Sequence, residues 1–191
     1  MYRTKSKESG FSYIDVMIAI VIMMVGILAM VGALSANIVR SLETEKRTVA
    51  KQLANSTIES IISAKEIERP NVIKSWDTLR NVMTSVPVGE DNGIFLTGIN
   101  PIRTEEGFDG VFGTADDACA GSGPCSVTGE PDNTSALVPG FLRQIVITDV
   151  ADPERPSPPN EITRRRIDVT ITYFVNQATR TETASTIITN Y

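Results

Sequence analysis

The N-terminal third of the chain joins an apolar stretch to an amphipathic stretch. Residues 16–34 carry no charged side chain, and as a helix they would span about 28 Å, close to the thickness of the hydrocarbon core of a bilayer. Beyond residue 36, apolar residues recur at helical spacings and charged residues mostly occupy the other faces. The apolar face comprises Ile38, Leu42, Val49, Leu53 and Ile61, with Ala50, Ala54 and Ala64 beside them.

This pattern has no interruption before a clear stop signal. Neither Gly nor Pro occurs at 33–69, and Pro70 then ends the pattern. We therefore predict one helix from Phe11 to about Ile67, in which residues 11–36 span a membrane and residues 37–69 continue as an amphipathic half that packs on a domain.

The C-terminal part of the chain has the period-two alternation of β-strands. Residues 141–150, 167–175 and 180–189 each read as a strand, with a Pro-rich loop at 152–159 and a turn at 176–179. Three strands in meander order against the long helix predict an α+β fold. Trp76, in a short amphipathic helix predicted at 71–85, is expected in the core.

The remaining segments complete the predicted domain of residues 70–191. Residues 93–99 form a short strand candidate, and residues 100–140 are polar and rich in Gly, Asp and Pro, which predicts a long loop insertion.

Composition narrows the function classes. The 191 residues carry a formal charge of −5, which argues against a general nucleic-acid binder, since nothing overall attracts phosphate. Histidine is absent, which removes the commonest general base and metal ligand. No nucleophile–base pair, phosphate loop or metal cluster stands out, so we expect no enzyme and no catalytic residue.

The residues before the apolar stretch resemble an export signal. Arg3, Lys5 and Lys7 stand against one acid, Glu8, in a leader of residues 1–10, and such a basic segment keeps the N-terminus in the cytoplasm. Two processing schemes compete. A secretory signal would be cut after the apolar region, near ALSA at 33–36, whereas the other scheme cuts before that region and keeps it.

The second scheme is the one that the motif GFSYID at 10–15 resembles. A short basic leader that ends in Gly and precedes an apolar run is similar to the class III signal of type IV prepilins. The resemblance covers about the first 50 residues. It implies that a prepilin peptidase cuts between Gly10 and Phe11 and methylates the new amino group of Phe11.

Asp15 and Tyr13 depart from the family pattern. The family usually has Glu at the position of Asp15, where the resemblance implies a contact with the amino-terminus of a neighbouring subunit during assembly. Asp keeps the charge but is one methylene shorter. The alternative is that Asp15 lies at the start of the helix because a negative charge suits the helix dipole there. At Tyr13 the family often has an aliphatic residue.

The resemblance is closest in style to pilus-modification minor pilins and to minor pseudopilins of type II secretion, because of MVGILA at 24–29. It implies a structural subunit that primes, caps or modifies a filament, with other pilin or pseudopilin subunits, an inner-membrane assembly platform and membrane lipid as partners. The expected location is the bacterial inner membrane, single-pass with a cytoplasmic N-terminus, and then a periplasmic or extracellular filament. The alternative is a single-pass anchored periplasmic binding or adaptor domain that does not polymerise.

The acidic loop DGVFGTADD at 109–117 is the one candidate metal site. Calcium takes six to eight oxygen ligands from flexible loops, which Asp109, Asp116 and Asp117 would help to supply. The run lacks EF-hand spacing but resembles acidic Gly-rich runs of secreted bacterial proteins, and some pseudopilins bind calcium in the exported domain. The competing interpretation is a solvated acidic turn. No other cofactor is expected.

A pair of cysteines and a cluster of arginines have structural interpretations. Cys119 and Cys125 lie close together in a chain with an export-like N-terminus, which predicts a disulfide in an oxidising compartment. Arg164, Arg165 and Arg166 form the one basic cluster, interpreted as a solvated strand start rather than a contact to DNA or lipid.

Overall fold

The computed structural model describes residues 10, 12–67, 74–86, 88–118, 135–158 and 160–190. The chain divides into two compact units, Met1–Thr44 and Glu45–Tyr191. Helix α1 is Tyr13–Ala64 and the short helix α2 is Ser75–Thr78. The strands are β1 Ile99–Arg103, β2 Leu137–Val150, β3 Arg164–Val175 and β4 Ala178–Thr189, and a 3-10 turn lies at Asp116–Ala118. The predicted α+β fold is confirmed.

The sheet is antiparallel with strand order β1-β2-β3-β4. On β3, Ile167, Val169, Ile171 and Tyr173 are almost fully buried, and their neighbours in sequence point to the other face, as the alternation predicts. The β3–β4 hairpin turns at Asn176, whose φ of 54° is of a kind that Asn tolerates better than most residues.

In the described residues the sheet has a fourth strand beside the three that the meander pattern predicts. Strand β1 lies at Ile99–Arg103, so it shares only Ile99 with the strand candidate at 93–99 and otherwise falls in the predicted loop at 100–140. The rest of the candidate forms only an isolated bridge of Phe95 to Asn81. Asn100 and Pro101 concealed β1, because both residues are typical of turns. Proline is nevertheless tolerated on the edge of a sheet, and within the described ranges β1 pairs with β2 alone.

Helix α1 ends at Ala64, earlier than the predicted Ile67, and the turn that follows has Lys65 N–H donating to the Ile62 carbonyl (3.2 Å). Its contribution to the core of the second unit is a stripe of small and β-branched residues at helical spacing. The stripe consists of Ala50, Ala54, Thr57, Ile61 and Ala64. These residues join the sheet in one hydrophobic core, which also contains Trp76, as predicted.

Candidate functional site

The N-terminal part of α1 is an apolar surface without a partner in the described chain. Every residue from Ser12 to Leu42 is exposed, including Met30 (67%) and Leu28 (66%). The helix is long and apolar enough to cross a membrane, a test that a signal sequence near the N-terminus also passes. Soluble proteins rarely expose a continuous apolar surface of this extent.

Two hydroxyl side chains in the N-terminal unit bond to the backbone of the helix. The hydroxyl of Ser35 donates to the Val31 carbonyl (3.0 Å), and that of Thr44 donates to the Arg40 carbonyl (2.9 Å). Such i to i−4 bonds let a hydroxyl lie in apolar surroundings without an unpaired donor.

Gly26 and Gly32 have open space on the side where a side chain would stand, since a Cβ at either position would have no described neighbour within 4 Å. No contact inside the described chain requires glycine at these positions. Small residues on a helix surface let a second helix approach closely.

Asp15 lies in the first turn of α1, where it caps the helix. The backbone N–H of Ser12 donates to Asp15 Oδ2 (3.3 Å), while the Asp15 N–H donates back to the Ser12 carbonyl (2.9 Å). A carboxylate that reaches back to the residue at the helix start is half of a capping box. This geometry matches the helix-start interpretation of Asp15, and the assembly role stays a prediction. Gly10 is exposed, whereas Phe11 lies outside the described residues.

The acidic loop, predicted as a calcium site or a solvated turn, is closed by its own hydrogen bonds. Asp109 Oδ1 accepts the N–H of Val111 (2.8 Å), and Asp116 Oδ2 accepts the N–H of Asp109 (2.9 Å). The N–H of Phe112 donates to Ser60 Oγ on α1 (2.9 Å), which ties the loop to the helix.

Asp117 and Arg143 form a buried ion pair beneath this loop. Their side chains are each about 6% exposed, and Arg143 Nη2 lies 2.8 Å from Asp117 Oδ2. The same oxygen accepts the N–H of Gly113 (2.7 Å), while Arg143 Nη1 contacts the hydroxyl of Thr57 (3.3 Å). The guanidinium also lies over the ring of Phe112, 5.6 Å from its centroid. One arginine therefore connects β2, helix α1 and the loop.

Burial affects both members of the pair. Burial raises the pKa of Asp117, although the Gly113 N–H and Arg143 both act to lower it. Burial also lowers the pKa of Arg143. Burial therefore opposes both charges, and their mutual attraction offsets part of that cost. Asp117 is not in a solvated turn, so that interpretation of the loop is wrong for this residue.

The described residues contain no group of three His, Cys, Asp or Glu side chains arranged to hold a metal ion. Calcium binding at Asp109, Asp116 and Asp117 stays a prediction. Cys119 and Cys125 lie outside the described residues, and their disulfide also stays a prediction.

The arginine cluster at the start of β3 is only partly a solvated strand start. Arg165 is 1% exposed, so the solvated interpretation is wrong there. Its Nε donates to Asp149 Oδ1 (2.9 Å), and its guanidinium lies 4.8 Å from the ring centroid of Trp76. Arg166 is exposed and pairs with Asp168. Sequence reasoning missed the buried role of Arg165, although odd-numbered residues of β3 all face the core.

Sequence reasoning also missed the buried position of Arg143. It occupies the core-facing register of β2 together with Phe141 and Ile145. An arginine in the apolar phase of a strand was the available signal, because a buried charge needs a partner.

The comparisons with known proteins add no identity. No protein-family model, no curated protein and no solved structure matches this chain.

Proposed function

We propose that this chain is a pilin-like filament subunit, a minor pilin or pseudopilin that primes, caps or modifies a type IV pilus or type II secretion filament. In this proposal, prepilin peptidase cuts after Gly10 and methylates Phe11. The apolar helix holds the subunit in the inner membrane, and an assembly platform then moves it into the filament core beside equivalent helices. The subunit does no catalysis.

The observation that carries the proposal is the continuity of α1. A single helix, Tyr13–Ala64, begins with the exposed apolar surface and ends with the stripe that completes the core of the second unit. A cleaved secretory signal has no need to continue as a structural helix of the mature domain. The leader motif before this helix and the open space at Gly26 and Gly32 support the same proposal.

Replacement of Asp15 tests the filament part of the proposal. We expect Asp15→Ala to reduce incorporation into filaments strongly, while Asp15→Glu, which restores the usual family residue, assembles at least as well as the unchanged chain. Both variants must first reach the membrane in equal amounts, as measured by immunoblot of the membrane fraction. If Asp15→Ala enters filaments normally, Asp15 serves only as a helix cap.

The competing function is a single-pass anchored domain that does not polymerise. The capping bond between Asp15 and Ser12 favours it, because that bond accounts for the carboxylate without a neighbouring subunit. Cross-linking of single cysteines placed at Gly26 or Gly32 separates the two functions. A filament subunit gives a cross-linked dimer in membranes with the assembly machinery, and an isolated anchor gives only monomer.

A further inference from the structure

The second unit has one end at which the chain arrives from the apolar segment. The unit begins at Glu45, and the next residue, Lys46, donates from Nζ to the carbonyl oxygen of Phe174 (2.5 Å) at the end of β3. Arg47 then pairs with Glu182 on β4 (2.7 Å). The β3–β4 hairpin turn therefore lies at the same end of the unit as the point where α1 enters it.

Strand register adds the start of β2 to this end. Phe141 pairs with Tyr173, β2 begins four residues before Phe141 at Leu137, and β3 ends two residues after Tyr173. Leu137 consequently lies beside the hairpin turn rather than at the opposite end of the sheet, where β2 finishes and β3 starts.

We call this region the tip surface and define it by six residues: Lys46, Arg47, Leu137, Phe174, Gln177 and Arg180. Leu137 is 52% exposed and Phe174 is 42% exposed, so the tip surface presents an aliphatic and an aromatic side chain to its surroundings. Beside them stand three cations, and Arg103 pairs in register with Leu137. The acids nearby are Glu43 and Glu45 on the helix, Glu105, and Glu182, which is held by Arg47. This end therefore combines two exposed apolar side chains with cations and acids in about equal number.

The covalent chain limits how far the tip surface can lie from the apolar helix. From Val39, the last residue before the charge of Arg40, to Lys46 is a distance of about 10 Å along a helix and at most about 25 Å for an extended chain. A bilayer that holds the apolar segment would therefore have its polar surface within reach of the tip surface. Aromatic and aliphatic side chains enter the boundary between head groups and acyl chains, and Lys and Arg meet lipid phosphates there.

We propose that the tip surface docks on the phosphate-bearing surface of the bilayer in which the chain's own apolar helix is inserted, with Phe174 and Leu137 immersed at the interface. This inference rests on the membrane insertion that is part of the proposed function. In a filament subunit, the docked state is the one that precedes assembly, and extraction into the filament must release both the helix and the tip surface.

The test uses the full chain reconstituted in vesicles of phosphatidylcholine and phosphatidylglycerol, with Cys119→Ser and Cys125→Ser so that one new cysteine carries an environment-sensitive fluorophore. The label is placed at Gln177→Cys in the hairpin turn or, as a matched control, at Thr148→Cys, an exposed position toward the other end of β2. We expect the label at 177 to be blue-shifted and quenched severalfold more by lipid-borne spin labels than the label at 148.

Two further variants locate the contact. Phe174→Ser together with Leu137→Ser should abolish most of the lipid quenching at 177, whereas Val146→Ser, which alters a similarly exposed apolar residue (41%) elsewhere on the sheet, should leave it unchanged. Equal, water-like signals at 177 and 148 would overturn the docking proposal. A blue shift that grows with protein density and shows no lipid quenching would assign the surface to a second copy and overturn it as well.

Resistance of the same samples to alkaline extraction separates this inference from the proposed function. If the chain resists extraction and the label at 177 remains in water, the helix is inserted and only the docking is wrong. If the chain is extracted, the membrane insertion on which both proposals depend is itself contradicted.

Discussion

The buried pair of Asp117 and Arg143 allows a quantitative test of how the loop is held on the domain. Replacing Arg143 by Met keeps most of the side-chain volume but leaves the Asp117 carboxylate, about 6% exposed, without its cation. Loss of one partner of a buried pair costs about 3–5 kcal/mol. For a folded unit of this size, such a loss lowers the midpoint of thermal unfolding by roughly 10 °C.

The chain provides its own reporter and a matched control. Trp76 is the sole tryptophan and lies in the core, where its Nε1 donates to the Ile162 carbonyl (2.7 Å), so its fluorescence follows unfolding of the second unit in urea. The control is Arg166→Met, which removes a pair to Asp168 of the same length (2.8 Å) with the arginine side chain 55% exposed. We expect the control to cost about 1 kcal/mol or less.

The pH dependence and a double-mutant cycle complete the test. In Arg143→Met, burial raises the pKa of Asp117 without an opposing cation, so the folded state takes up the proton more readily than the unfolded state. The loss of unfolding free energy in Arg143→Met should therefore shrink as the pH falls through the pKa of Asp117 in the folded state. Asp117→Asn should show no such recovery. The double variant should lose clearly less than the sum of the single losses. Additive losses, or single losses no larger than the control, would refute the reasoning.

Three further predictions concern the same folded unit. Arg165→Lys should destabilise it by about 2–4 kcal/mol and change Trp76 fluorescence, because lysine cannot keep both the stack on Trp76 and the bond to Asp149; unchanged urea unfolding would contradict this. Burial acts to raise the pKa of Asp152, but hydrogen bonds from Thr163 and the Glu154 N–H and the charges of nearby arginines hold that pKa below its usual range. Asp152→Asn should therefore be less stable than the unchanged chain in neutral buffer. The two should become equally stable once the pH falls below the pKa of Asp152 in the folded state. Gly113→Ala should cost more than Gly89→Ala in the same assay: both glycines have positive φ, but only at Gly113 does a Cβ meet another side chain, 2.2 Å from Ile145 Cδ1; equal losses would show that Ile145 yields without cost.

The elements with strong periodicity were predictable from the sequence. Strand β3 alternates apolar and polar residues over its whole length, and α1 has helical spacing without Gly or Pro from residue 33 onward. Both signals arise from one buried face, so they survive in a single sequence. The helix end was less predictable, since residues 65–67 carry helix-forming side chains and only the backbone turn after Ala64 shows where the helix stops.

The features that were not predicted correctly depend on contacts between residues that are distant in the sequence. Strand β1 exists because β2 pairs with it, and its own Asn100 and Pro101 point locally to a turn. Arg165 was predicted to be solvated and Arg143 was not singled out, because their partners Asp149 and Asp117 lie 16 and 26 residues away. Sequence spacing alone does not reveal such pairs. The available sign is a charged residue at a core-facing position of a strand, because a buried charge needs a partner.

The mature N-terminus tests the central claim most directly. Mass spectrometry of the chain purified from bacterial membranes that contain a prepilin peptidase should find a protein that begins at Phe11 with a methylated amino group. An intact Met1 would support a simple membrane anchor, and a start near Asn37 would support a secreted domain. Either of these results would contradict the proposal that this chain is a pilin-like filament subunit.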